Sequence, residues 1–205
     1  DMIVASIGQV ATQNIITGYG IKPDDPIIGL PSSGLHSNGI TLARKILLKQ
    51  WKGKYDPYDK PEELDKDIIT EMLEPTRIYV KPFLKAVEAV KIKGAVHITG
   101  DSYTKFNNLE RFSEGIGFMF DNFKPQPIFG LIQKTAAELG LVITDEEMFT
   151  TFNMGWGFGI IVDKADRDRT LDILEKADAE PEVIGKVVDT PQVTVKYGGK
   201  KLSLM

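Results

Sequence analysis

A group of small polar residues occupies Ser32–Gly39, with the sequence Ser-Ser-Gly-Leu-His-Ser-Asn-Gly. It follows the apolar run Pro26–Leu30 and precedes Ile40–Leu47, where apolar residues recur at helical spacing. Glycines let a ligand approach the backbone, and N–H groups at the start of a helix attract anions. The pattern predicts, with comparable weight, a cradle for a phosphate group or a loop in which Ser37 or Asn38 simply caps the helix.

The chain has two histidines, His36 in this loop and His97 in the sequence His-Ile-Thr-Gly-Asp-Ser. An imidazole beside an anion can donate a hydrogen bond or carry a charge, so His36 is a candidate substrate contact. His97, within a predicted strand, is as compatible with a buried structural role as with a ligand role. Because there is no Cys and the histidine spacing matches no zinc motif, no metal site is expected in this chain.

Several classes of function are disfavoured. The Walker, dinucleotide-binding and nucleophile-elbow signatures are absent. Gly155, Gly157 and Gly159 alternate within a predicted strand, which indicates close packing or ligand approach on one face. A net charge of −4 over 205 residues argues against a nucleic-acid partner. No apolar stretch reaches the roughly 18 residues of a membrane span, and the first residues do not read as a signal peptide.

Strand and helix patterns alternate along the chain, which predicts an α/β or layered α+β fold with a sheet covered by helices. The predicted strands cover Met2–Val10, Pro26–Leu30, Gly94–Gly100, Gly115–Phe120, Gly155–Val162 and Glu182–Asp189, with a closing hairpin over Gly198-Gly199. The predicted helices cover Ile40–Leu47, Pro61–Met72, Pro82–Val90, Pro127–Gly140 and Asp163–Asp178.

Five segments in order, GLPSSGLHSNGITLARKIL, LEPTRIYVKP, HITG, EMFTTFNMGWG and EVIGKVV, resemble the C-terminal half of the phosphoribosylformylglycinamidine cyclo-ligase (aminoimidazole ribonucleotide synthetase) family. The resemblance spans nearly the whole chain. It implies a mixed sheet related to the ferredoxin-like arrangement. It also implies ATP- and Mg²⁺-dependent ring closure of formylglycinamidine ribonucleotide to aminoimidazole ribonucleotide, in de novo purine biosynthesis.

The same resemblance implies a domain organisation. Residues 1–20 would be the tail of an N-terminal ATP-binding domain missing from this chain, and 21–205 the substrate domain, with the active site in the cleft between them. We therefore expect the chain to be a fragment that is inactive alone. The complete enzyme would be a cytoplasmic homodimer without a membrane or nucleic-acid partner. The alternatives are a non-catalytic binding or oligomerisation module and a related synthetase acting on another amide.

The resemblance also implies site residues. The expected phosphoribosyl-substrate contacts are Ser33, Gly34, His36, Ser37, Asn38, Gly39, Thr99 and Gly100. Among them, His36 would move a proton or stabilise charge during ring closure. Thr151 and Asn153 would shape the cleft, and Arg77 would pin an irregular segment by ion pairing.

Two departures from the family pattern stand out. Gly100-Asp101-Ser102 replaces three glycines, and Thr150 replaces an arginine. A carboxylate at Asp101 would repel a phosphate unless a cation bridges them. We therefore expect either that this loop does not touch the phosphate or that a cation lies beside it, and we carry no phosphate contact over to Thr150.

Overall fold

The computed structural model describes residues 4–204. Within them, seven strands form one sheet: β1 Pro26–Pro31, β2 Gly94–His97, β3 Gly117–Phe120, β4 Trp156–Ile161, β5 Glu182–Val188, β6 Val193–Tyr197 and β7 Lys200–Leu204. The α-helices are α1 Ile40–Leu47, α2 Ile68–Met72, α3 Val80–Ala89, α4 Pro127–Glu138, α5 Asp145–Thr151 and α6 Arg167–Glu175. A long 3₁₀ segment, Ser102–Phe112, follows β2.

The strand order is β2-β4-β1-β5-β3-β6-β7, and every neighbouring pair is antiparallel except β3 and β6, which are parallel. Helix α3 leads into β2 and α6 leads into β5, and these two helices pack on each other. The strands β2, β4, β1 and β5 with α3 and α6 therefore form two interleaved β-α-β units, the ferredoxin-like arrangement. The mixed sheet covered by helices, as predicted, is confirmed.

Both faces of the sheet are covered. Ile27 belongs to the apolar cluster under α1, α2, α4 and α5, whereas the next residue, Ile28, belongs to the cluster under α3 and α6. Ile161 and Ile160 in β4 divide in the same way. Successive strand residues point to opposite faces, so unbroken apolar runs such as that of β1 are what a doubly covered strand requires.

Two predicted elements are wrong. Residues 4–10 of the predicted Met2–Val10 strand are exposed and form no strand, because β-prone residues need a partner strand and a face to pack against. The first part of that prediction, residues 2 and 3, lies outside the described residues. Helix α2 begins at Ile68 rather than Pro61, because the Asp67 carboxylate accepts the N–H of Thr70 at 2.9 Å and sets the helix start.

The remaining predicted strands and helices are present within a few residues, including the closing hairpin across Gly198-Gly199. The 3₁₀ segment Ser102–Phe112 has no counterpart in the sequence prediction. Among the helices of residues 4–204, none combines the length and apolar character needed to span a membrane.

Candidate functional site

The predicted site loops meet at one edge of the sheet. Strands β1 and β2 are both antiparallel to β4, so both end beside the start of β4. The loop 32–39 follows β1 and the loop 98–101 follows β2. A Cβ placed on Gly100 would lie 3.2 Å from the Asn38 side-chain nitrogen, so the two loops are in contact.

Asn153 supports the loop 32–39 from beneath. Its buried amide nitrogen donates to the carbonyl oxygens of Gly34, at 2.8 Å, and Leu35, at 3.2 Å, while its Oδ1 accepts the N–H of Gly155. All three hydrogen bonds hold the backbone. The prediction that Asn153 shapes the cleft therefore agrees with its contacts.

The 3₁₀ segment is anchored to the same support. The Ser102 hydroxyl donates to the Phe152 carbonyl and the Tyr103 hydroxyl to the Asn153 carbonyl, both at 2.6 Å. Ser102 and Tyr103 are fully buried. The residues Phe152-Asn153 thus fix the position of both loops.

His36 is turned into the loop. Its φ of 58° is in the left-handed region, and its side chain is buried. Nε2 lies 3.2 Å from the backbone nitrogen of Ser33 and 3.1 Å from its hydroxyl oxygen, and it accepts the Ser33 N–H when the ring proton is on Nδ1. Nδ1 is buried without a hydrogen-bond partner in the described residues. Burial, with a smaller contribution from His97, lowers the pKa of His36 to about 4.

This state of His36 differs from the expectation of a readily charged donor. At neutral pH the imidazole is neutral, and it organises the loop. Ser33 completes the arrangement, since its hydroxyl donates to the Pro75 carbonyl at 2.6 Å. Gly34, with a φ of 150°, continues the turn. The proposed contact of His36 with a substrate stays a prediction.

The start of α1 is open. Its N-cap is Gly39 and no side chain caps it, so the prediction that Ser37 or Asn38 caps the helix is wrong. Among residues 4–204, no hydrogen bond is found from the backbone N–H groups of Thr41 and Leu42. Ser37 is exposed and Asn38 half-buried. Uncapped N–H groups with adjacent polar side chains form a surface suited to an anion.

Gly39 is required by packing as well as by conformation. Its φ is 76°, and a Cβ there would lie 2.2 Å from the Phe152 ring. The backbone conformation also shows why Asp101 can stand where the family pattern has glycine. Asp101 and Ser102 have φ values of 62° and 45°, left-handed conformations that glycine adopts without cost and aspartate tolerates.

The ammonium group of a lysine contacts residues at the end of β2 and in the loop 98–101. Lys105, in the 3₁₀ segment, donates to the hydroxyl of Thr99 and, at 3.3 Å, to the carbonyl of His97. Sequence reasoning missed Lys105, because its position depends on how the unpredicted 3₁₀ segment folds back on the loop. His97 itself is exposed, and partial burial together with the Lys105 charge lowers its pKa.

An apolar groove of about 420 Å³ adjoins the loops, and its walls include Tyr79, His97 and Phe158. Tyr79 stacks on Phe158 with ring centroids 5.4 Å apart and donates its hydroxyl to the Pro31 carbonyl at 3.0 Å. Gly157 makes room for this arrangement, since a Cβ there would lie 1.9 Å from the Tyr79 hydroxyl and 2.9 Å from His36 Cε1. Tyr79 was not predicted, and no local pattern around it signals this contact.

Three other residues discussed from the sequence lie apart from these contacts. The Thr150 hydroxyl donates to the Glu146 and Glu147 carbonyls of its own helix. Thr151 is half-buried at the end of α5. Arg77 donates to Glu180 at 2.7 Å and to the Asp178 carbonyl, which confirms the predicted ion pair.

Fold and loops together define a ferredoxin-like domain with an anion-suited edge, and the comparisons give its family. Residues 22–198 match the family described as "AIR synthase related protein, C-terminal domain", and the chain belongs to that family. The Methanocaldococcus jannaschii "Phosphoribosylformylglycinamidine cyclo-ligase" is 41% identical over 100% of this chain and 59% of its own length. The Myxococcus xanthus protein of that name is 43% identical over 91% of this chain and 52% of its own length. The chain thus spans little more than half of these curated relatives.

Solved structures share the fold at low sequence identity. HypE, a hydrogenase maturation protein in complex with ATP, aligns with a TM-score of 0.57 and 16% identity over 97% of this chain and 55% of HypE. The T. maritima PurL complexed with FGAR aligns with a TM-score of 0.55 and 13% identity over 94% of this chain and 29% of PurL. These likenesses support the fold alone.

Proposed function

We propose that this chain is the substrate domain of a phosphoribosylformylglycinamidine cyclo-ligase, the ATP-dependent enzyme that closes the imidazole ring of aminoimidazole ribonucleotide. The observation that carries the proposal is the 41% identity across the entire chain with a relative of that name. The open start of α1 supports it, since a ribonucleotide presents a phosphate. The relatives named above do not favour a non-catalytic module or a synthetase for another amide.

The proposed substrate phosphate lies over the backbone from Ser37 to the first turn of α1, with Asn38, Thr99 and Gly100 around it. Ser33, Gly34 and His36 hold the loop in the shape that presents those N–H groups. Neutral N–H donors fixed before the ligand arrives bind a phosphate without reorganising, which is the form of electrostatic stabilisation this chemistry needs. His36 holds the loop through Nε2.

We propose that the other wall of the cleft belongs to the part of the relatives' length that this chain does not span, and that this part binds ATP. Residues 1–20 are its tail and 21–205 the substrate domain. Ile78, Val80 and Leu84 beside the groove are 79%, 60% and 52% exposed, as a face meant to be covered would be. Among residues 4–204, no three His, Cys, Asp or Glu side chains converge. We therefore assign the Mg²⁺ contacts of the nucleotide to that other part.

A chimera tests the proposal. This chain replaces the matching portion of the Methanocaldococcus jannaschii relative, and ring closure is followed as aminoimidazole ribonucleotide and ADP formed from formylglycinamidine ribonucleotide and Mg²⁺-ATP. We expect the two products in equal amounts from the chimera and no product from the 205-residue chain alone. A folded chimera that binds ATP but forms no product contradicts the proposed function. Turnover by the 205-residue chain alone contradicts the proposal that the chain supplies only one wall of the active site.

The assembly and location are also proposals. We place the complete enzyme in the cytoplasm, because the reaction consumes ATP, and we expect it to be a homodimer built mainly through its ATP-binding part. Light scattering on the chimera and on this chain shows whether the ATP-binding part or the present chain forms the dimer. A dimeric chimera with a monomeric 205-residue chain is the expected result, and a monomeric chimera contradicts it.

A further inference from the structure

Positive charge is scarce at the loops 32–39 and 98–101. His36 is neutral at neutral pH, and the lowered pKa of His97 keeps it neutral as well. Arg77 is committed to Glu180 at 2.7 Å. Phosphate monoesters are dianions near neutral pH, and N–H groups alone do not neutralise them.

Lys105 is a cation without a carboxylate. Its ammonium donates to two neutral acceptors, the Thr99 hydroxyl and the His97 carbonyl, and has three protons to give. No ion pair found among residues 4–204 includes it. Neutral acceptors orient the ammonium but leave its charge uncompensated.

The position of Lys105 is fixed with respect to the anion-suited loop. Ser102 and Tyr103 tie the start of its 3₁₀ segment to Phe152-Asn153, the residues that also hold the loop 32–39. Phe106, next to Lys105, is fully buried and packs against Gly159. The Lys105 ammonium contacts Thr99, and the following residue, Gly100, contacts Asn38.

From this placement we propose that Lys105 is the phosphate-binding cation of the substrate site, acting across the cleft edge from the Ser37–Gly39 backbone. The inference rests on the proposed function and adds to it the residue that supplies the positive charge. It also answers the expectation that a phosphate near Asp101 needs a cation beside it: the cation is a lysine four residues further along the same segment.

The test compares Lys105→Gln with Lys105→Arg and with Lys91→Gln, which alters an exposed lysine on the segment leading into β2. Binding of inorganic phosphate and of ribose 5-phosphate to the full chain is measured by calorimetry. We expect Lys105→Gln to weaken binding of both by about tenfold or more, the range for a hydrogen bond to a charged group. Lys105→Arg should stay within about threefold of wild type, and Lys91→Gln should not change.

A measurement on the unaltered protein guards against a folding defect in the variants. The side-chain NMR resonances of Lys105 should shift on addition of phosphate, and those of Lys91 should not. Equal phosphate binding by wild type and a folded Lys105→Gln, or unshifted Lys105 resonances at saturation, overturns the role of Lys105 and leaves the proposed function standing. No binding of either probe to wild type overturns this inference and the proposed phosphate site, whereas the ring-closure assay of the chimera judges the enzyme activity separately.

Discussion

Strand β1 carries a polar cluster at each end, and the two clusters differ in how their groups are used. At its start, Asp25 is fully buried and accepts from Lys93 at 2.6 Å, and Lys93 also contacts Asp163, at 3.1 Å. Asp163 also pairs with Lys22 at 3.0 Å, so two carboxylates face two lysines and the charges compensate one another. At its end, the loop 32–39 holds its shape with neutral hydrogen bonds and leaves N–H groups at α1 without partners in the described residues.

The polar groups at the start of β1 stabilise the fold, whereas those at its end are available to bind a ligand. The Asp25–Lys93 pair compensates its own buried charge, so it can fix where β1, β2 and β4 begin or end but offers little to a ligand. The loop is held by Asn153 and His36 and still presents donors outward. Unused donors on a rigid support, rather than the number of polar residues, mark the candidate site.

The largest effect is expected at the start of β1. Lys93→Met leaves Asp25 buried without its cation, which should lower the free energy of unfolding by about 3–5 kcal/mol. Urea denaturation measures it. Lys186→Met is the matched control, because its pair with Asp24 is exposed and should cost at most about 1 kcal/mol. Equal losses in the two variants would show that Asp25 and Lys93 do not form the buried pair described here.

The next effect is at the support of the loop. Asn153→Ala removes three hydrogen bonds to the backbone, so we expect a loss of about 2–3 kcal/mol in unfolding free energy. Phosphate affinity of the folded protein should fall about tenfold, because the loop loses its shape. Asn107→Ala, at an exposed residue of the 3₁₀ segment, should change neither quantity. Unchanged phosphate affinity in Asn153→Ala would contradict the claim that Asn153 holds the loop 32–39 in its phosphate-binding shape.

The loop should also respond to acid. The folded pKa of His36, about 4, lies below the ordinary 6.5, so the unfolded chain takes up this proton first. Stability should therefore decrease as the pH falls from about 6.5 to about 4, by about 2–3 kcal/mol from this group. Unfolding free energies across that range measure the slope, and His36→Gln should flatten it. A slope that is unchanged in His36→Gln would assign the acid sensitivity to other groups.

The smallest effect tests the crowding beneath the loop. Gly157→Ala places a Cβ against Tyr79 and His36 and should cost about 1.5 kcal/mol and weaken phosphate binding. Gly130→Ala introduces the same methyl group into open space on α4 and should stabilise the protein by about 0.5–1 kcal/mol. Thermal unfolding of both variants measures the difference. A neutral or stabilising Gly157→Ala would contradict the close approach of Tyr79 to this strand.

The sequence predicts what depends on local pattern. Strand β1, helix α1 and the hairpin over Gly198-Gly199 follow from apolar spacing and turn residues, and the loop 32–39 follows from its composition. The helix start at Asp67 was missed because Pro61-Glu-Glu offers an equally good local signal. Only the folded chain shows that the Asp67 carboxylate makes the cap.

The contacts that complete the site depend on distant segments. Lys105 reaches Thr99 only through a 3₁₀ segment whose residues lack a clean helical period. Tyr79 reaches Pro31 across 48 positions of sequence. The inward turn of His36 likewise reflects left-handed backbone at that residue, which no periodicity reports. The resemblance in the five quoted segments supplied the family, whereas the geometry assigned the structural roles of His36 and Asn153.

The most direct test of the account follows backbone amide NMR signals while inorganic phosphate or ribose 5-phosphate is added to the chain. We predict saturable shifts at Ser37–Leu42 and Thr99–Gly100, with unchanged signals at Asp25 and Lys93. Shifts confined to the start of β1, or no saturable shift anywhere, would contradict the claim that the end of β1 is the anion-binding edge of this domain.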